Sequence, residues 1–91
     1  MNNAEIAAVF DDIANILKYK NENIFKIRAY QKVARSIKEL TEAVEQLVVE
    51  GRLREVNGVG EVISKKITEL VTTGRLNFYE KLKAESKQEK L

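Results

Sequence analysis

No proline interrupts these 91 residues, and apolar side chains recur at three- and four-residue steps along nearly all of them. A chain with that period can satisfy its backbone inside helices, and it lacks the two-residue alternation of a half-buried sheet. The expected fold is therefore all-α, with four to five short helices. In "NNAEIAAVFDDIANILKY" one face carries Ile6, Val9, Phe10, Ile13, Ile16 and Leu17, with Asn2 or Asn3 as the cap. "KNEN" ends that helix, because asparagine tolerates turn conformations and can cap the next helix. This second helix, about Ile24 to Leu40, turns Ile27, Tyr30, Val33, Ala34 and Ile37 inward. Thr41 is placed to cap a third, which runs through Val44, Leu47 and Val48 to Glu50 and stops at Gly51. "RLREV" has room only for a turn, with Leu53 and Val56 pointing in. A fourth helix spans about Glu61 to Thr73 and ends at Gly74. Asn77 and Glu80 form an Asn-x-x-Glu cap for a last helix, "FYEKLKAES", whose tail "KQEKL" should fray.

Charge is divided unevenly along this frame. Between residues 18 and 38, Lys18, Lys20, Lys26, Arg28, Lys32, Arg35 and Lys38 face Glu22 alone. Residues 39–51 hold Glu39, Glu42, Glu45 and Glu50 and no basic side chain, so the net charge of +2 conceals one strongly basic stretch. Such a concentration suits a polyanionic partner. Ninety-one residues, 44% hydrophobic and 33% charged, match one globular domain over residues 1–91 rather than two. No apolar run approaches the length of a membrane span, and no signal-peptide pattern follows Met1, so no membrane partner is expected. With neither cysteine nor histidine, disulfides, Cys/His zinc sites and Ser-His or Cys-His nucleophile pairs are excluded.

The most specific stretch is "EVNGVGEVISKKITEL", residues 55–70. Leu53 and Val56 anchor it on one side, and Ile63, Ile67 and Leu70 on the other, while Val59 can tuck beneath the turn. Gly58 and Gly60 are expected to supply conformations closed to other residues and to let a ligand approach the backbone. Gly60 then opens a helix whose free N–H groups and positive dipole end suit a phosphate oxygen. Lys65 and Lys66 lie one turn later. The glycines of a plain helix–helix connection would look similar, but the full frame is the helix-hairpin-helix pattern, which grips sugar-phosphate backbone without reading bases.

A second stretch, "ENIFKIRAYQKVARSIKEL", resembles the second helix of the N-terminal domain of family X DNA polymerases, the polymerase beta family. That pattern runs Glu-Asn-x-Phe-x-(Val/Ile)-Arg-Ala-Tyr-x-x-Ala-Ala-x-x-(Ile/Leu). It is matched here by Glu22, Asn23, Phe25, Ile27, Arg28, Ala29, Tyr30 and Ala34. The hairpin and the Thr-Gly-x-Leu after it, at Thr73, Gly74 and Leu76, are similar too, so the resemblance covers nearly the whole chain. It implies a polymerase beta N-terminal-domain-like fold and a DNA-end-binding module, the amino-terminal part of a longer DNA repair polymerase. The expected partner is gapped, nicked or 5′-phosphorylated DNA, bound by a cytoplasmic, nucleoid-associated monomer. The family's Mg²⁺ belongs to a palm domain that lies outside these residues, and no other cofactor is required.

The resemblance also implies roles. The family's Schiff-base lysine, which excises deoxyribose phosphate, matches Lys66, and two further pocket residues match Lys26 and Tyr30. A phosphate-binding histidine and lysine are replaced by Phe25 and Val62, which weakens the expected 5′-phosphate pocket. The backbone carbonyls of Arg54, Val56 and Val59 correspond to those holding Na⁺ or K⁺ in such hairpins. Helical geometry sets Lys66 at the edge of the buried face and Lys65 towards solvent. Lys66 can therefore serve as a partly desolvated nucleophile, with Lys26 as a cationic neighbour, or simply touch phosphate. Arg28, Lys32 and Arg35 form a stripe on the opposite face of the second helix, expected to be solvated and to attract DNA only at long range. Three functions are compatible with these features: a sequence-independent DNA-binding module, a stand-alone lyase working through Lys66, and a helical protein-interaction domain.

Overall fold

The computed structural model describes residues 1–89. Five α-helices succeed one another: α1 (Asn3–Tyr19), α2 (Ile24–Glu39), α3 (Val44–Val49), α4 (Glu61–Thr73) and α5 (Asn77–Glu89). A single 3-10 turn, Leu53–Glu55, stands between α3 and α4. The fold is all-α, and the described residues contain no strand.

Two long helices form the base. Asn2 and Glu5 close a reciprocal capping box at the start of α1, and Asn23 accepts from the Phe25 N–H at the start of α2. Between them the chain reverses through Asn21, at a left-handed φ of 62° that asparagine tolerates better than most residues. There the Glu22 N–H reaches the Leu17 carbonyl and the Asn21 N–H that of Lys18, so these two carbonyls near the end of α1 are satisfied. Ile6, Phe10 and Ile13 from α1 meet Val33, Ala34 and Ile37 from α2 in a core from which water is excluded. Val9 and Ile16 pack at its edge, partly buried.

α3 is shorter than its spacing suggests and is capped differently. Thr41 does not cap it; Ala43 holds the cap position and provides no side-chain bond. The missing acceptor comes from α1, where Asn3 Oδ1 takes the Val44 N–H at 2.9 Å while Asn3 Nδ2 donates to the Glu42 carbonyl at 2.8 Å. A side chain 41 residues away thus does what the spacing assigns to the nearby threonine. Gly51, at φ 68°, stops α3 as its position predicts.

The last helix also departs from the expected capping. Asn77 lies inside α5 as its first residue, so the Asn-x-x-Glu cap does not form. The Asn77 N–H is instead taken by Glu69 Oε2 of α4 at 2.7 Å. α5 continues to Glu89, past the expected end at Ser86. The expectation that the tail frays falls, for residues 90 and 91, outside the described residues. Among the contacts that hold α5 to α1 and its C-terminal turn, Tyr79 OH donates to Asp12 at 2.5 Å and Lys20 pairs with Glu85 at 2.5 Å.

Candidate nucleic-acid interface

The hairpin is built from its buried side chains outward. Leu53, Val56 and Val59 are 5%, 5% and 6% exposed, so all three anchors point into the core as their spacing predicts. The turn closes where the Val59 N–H donates to the Val56 carbonyl at 3.0 Å. Gly58 sits at φ 92°, which a residue with a Cβ rarely adopts. A Cβ there would also meet Cγ of Lys32 at 3.3 Å, because the Lys32 stem lies against this glycine. Arg28, Lys32 and Arg35 are exposed, as the stripe predicts, and the aliphatic stem of Lys32 also lies against the turn. Gly60 corrects the other expectation. Its φ of −99° is open to any residue, and nothing lies within 4 Å of where its Cβ would be. Only Gly58 needs to be glycine for its backbone; Gly60 leaves the surface of the turn bare.

Gly60 is the N-cap of α4, and no side chain caps that helix, unlike α1 and α2. The Ser64 N–H takes the Gly60 carbonyl at 2.9 Å. None of the described hydrogen bonds uses the N–H groups of Glu61, Val62 or Ile63, so the dipole end of α4 presents unspent donors above the turn. Lys65 is solvent-facing and loosely paired with Glu61 at 3.7 Å. Of the carbonyls expected to face a monovalent cation, that of Val56 already accepts the Val59 N–H, while none of the described turn bonds uses those of Arg54 and Val59. A carbonyl has two lone pairs, so all three retain acceptor capacity.

Beside the hairpin lies a cavity of about 510 Å³ between the end of α1 and the first turns of α2, α4 and α5. It brings together Lys26, Tyr30 and Lys66, the three residues matched to the pocket of the resembling family. Gly58, Val59, Gly60 and Lys65 do not line it; Val62 and Ile63 join the cavity to the hairpin. Lys66 is half-buried, with Nζ 4.4 Å from the centroid of the Phe78 ring. Tyr30 is stacked between Phe10 and Phe78, at centroid distances of 6.1 and 5.9 Å, and burial pushes its hydroxyl pKa up from the usual 10.0. Most of Tyr30 therefore belongs to the core, with one edge left for a ligand. Phe25 and Val62, which stand where the family carries histidine and lysine, are 74% and 64% exposed.

Lys20, Phe78, Leu82 and Glu85 are among the cavity residues that the sequence-based expectation does not place at the site. The steps of four and three between Phe78, Leu82 and Glu85 do mark one face of α5, which is the available signal. What that face meets is a tertiary fact.

An all-helical chain with an uncapped hairpin at the start of one helix, flanked by lysines, defines the helix-hairpin-helix class. A family model described as a helix-hairpin-helix domain matches residues 1–76, and the chain belongs to that family. Domains of this kind commonly bind DNA without sequence specificity. No curated protein matches the chain.

Proposed function

We propose that this chain binds the sugar-phosphate backbone of DNA, independently of sequence, at gaps and nicks carrying a 5′-phosphate. In this reading it is the N-terminal domain of a family X repair polymerase. The observation that carries the proposal is the start of α4: Gly60 caps it without a side chain, and the N–H groups of Glu61, Val62 and Ile63 remain unspent over a bare turn. A phosphate oxygen would accept these donors, and the helix dipole adds to the attraction. Lys65 would neutralise a phosphate from the solvent side. A monovalent cation on the carbonyls of Arg54, Val56 and Val59 would support the turn against the same phosphate. Lys26, Lys66 and the edge of Tyr30 would receive a 5′-phosphate in the adjoining cavity, less firmly than in family members with a cation in place of Val62.

Anisotropy of a labelled gapped duplex, titrated across salt concentrations, tests this. The logarithm of the association constant should fall linearly with that of salt, by about 0.9 per contacted phosphate, and Lys65→Ala should reduce the slope by about one. Affinity without salt dependence would point to a protein-interaction domain instead. An unchanged slope in Lys65→Ala would place that residue away from DNA.

A second reading, deoxyribose-phosphate lyase, is favoured by the meeting of Lys66, Lys26 and Tyr30 in one cavity. Nζ of Lys66 would add as the free amine to the sugar C1′ aldehyde and, with loss of water, form an imine that borohydride reduces to a stable adduct. To do so Lys66 must leave the Phe78 ring, so a weak activity is expected. Trapping on a 5′-deoxyribose-phosphate substrate should be lost in Lys66→Ala and kept in Lys65→Ala. Equal trapping by wild type and Lys66→Ala would assign the chemistry elsewhere, and no adduct from any variant would leave a binding module alone.

A further inference from the structure

Some cations among the described residues are paired and others are not, and Lys18, Lys26, Arg54, Lys66, Arg75 and Lys81, scattered over the chain, also stand outside the described ion pairs. Lys20, Lys38, Arg52, Lys65 and Lys83 are each paired with a carboxylate. Arg28, Lys32 and Arg35, on one face of α2, enter none of the described ion pairs or side-chain hydrogen bonds. Three adjacent positive side chains outside any described pair raise the local potential and favour an external anion. The middle member is exposed but touches the hairpin. The stem of Lys32 lies along Gly58, with Cγ, Cδ and Cε 3.3, 3.4 and 3.7 Å from the point a Cβ would occupy. Its ammonium, one bond beyond Cε, therefore lies close to the turn that precedes the unspent donors of α4.

We propose that Lys32 is a phosphate-binding residue of the hairpin, and that Arg28 and Arg35 extend the DNA path from the hairpin along α2. The proposal rests on the DNA-backbone reading above and specifies where the strand goes once it leaves the turn. Residues 28–35 span about 10 Å of helix axis, and three successive phosphates rise about 7 Å along a strand, a difference that long side chains bridge, so each can meet its own phosphate. To the extent that contact with Gly58 favours this rotamer of Lys32 before DNA arrives, less rotamer entropy is lost on binding. Gly58 thereby gains a second role: its missing side chain is the space that Lys32 fills.

The test is a salt titration of a labelled gapped duplex with variants of the whole chain. Lys32→Met keeps a stem of similar length on Gly58 and removes only the charge. It should lower the salt slope by about 0.9 and weaken binding about five- to tenfold near 0.1 M salt. Arg28→Gln and Arg35→Gln should each do the same. Lys38→Gln, on the same helix but paired with Asp11 at 2.6 Å, removes one charge too and should leave the slope unchanged. The path is overturned if Lys32→Met keeps the wild-type slope while Lys65→Ala lowers it, and equally if Lys38→Gln lowers it as much as Lys32→Met. Absence of salt-dependent binding by the wild type would overturn the backbone reading itself.

Discussion

Gly58 and Gly60 stand two residues apart in one turn, yet they answer to different constraints. Gly58 has a left-handed φ of 92° that a side chain rarely adopts, and a methyl group there would press on the Lys32 stem at 3.3 Å; Gly60, at φ −99°, has open space. Gly58→Ala should therefore cost about 1–3 kcal/mol in urea unfolding, and Gly60→Ala less than about 1 kcal/mol. Equal costs would mean that the turn relaxes and that Gly58 is not strained by a side chain. The sequence shows that glycines occur here but not which one the backbone needs, since φ depends on how Val56 and Val59 are anchored. Lys32 is harder to read still. Helical periodicity assigns it to a solvated face, correctly for α2 alone, and only the position of the hairpin turns that face into a contact.

At the scale of the elements, what is legible is what is local. The apolar faces of α1 and α2 and the Gly51 and Gly74 stops arise from steps of three, four or one residues. The N-terminus of α3 does not, because its acceptor is Asn3, on a helix distant in sequence. Asn3→Ala should destabilise the protein by about 0.5–2 kcal/mol, as the loss of a helix cap does, and Thr41→Ala should have almost no effect. Urea denaturation midpoints measure both, and a larger loss in Thr41→Ala would restore the local cap. α5 obeys the same rule. Its amphipathic face is visible in the sequence, whereas its contribution of Phe78 and Glu85 to the cavity depends on Tyr79 and Lys20 docking it against neighbouring structure. Both the capping and the cavity wall are invisible to sequence reasoning for this one reason, that they are made between elements.

Among the described residues the charges separate, with the carboxylates around Arg52 in internal pairs and Arg28, Lys32 and Arg35 outside any described pair. Arg52 donates to Glu55, Glu50 and Glu42, so its own pKa is pushed up. Hydrogen bonds from Gln46 and Arg52 lower the pKa of Glu50, those from Arg52 lower Glu55, and that from Lys20 lowers Glu85. These depressed carboxylates contribute stability that is present above the ordinary value of 4.5 and is lost as pH falls through their folded values below it. Tyr79 has the opposite sign. Burial and the hydrogen bond to Asp12 push it to about 12, so its contribution is full below 10.0 and lost as pH rises through about 12. Thermal midpoints should decline on both flanks, and Tyr79→Phe should flatten part of the alkaline decline. An unchanged alkaline limb in Tyr79→Phe would contradict the assignment. The most direct test of the central claim, that α4 presents its first N–H groups to phosphate, is an amide chemical-shift titration with a gapped duplex bearing a 5′-phosphate. The largest shifts are expected within residues 57–66, and Gly58→Val should abolish them. Largest shifts on α3 and its acidic surroundings, with residues 57–66 unmoved, would contradict it.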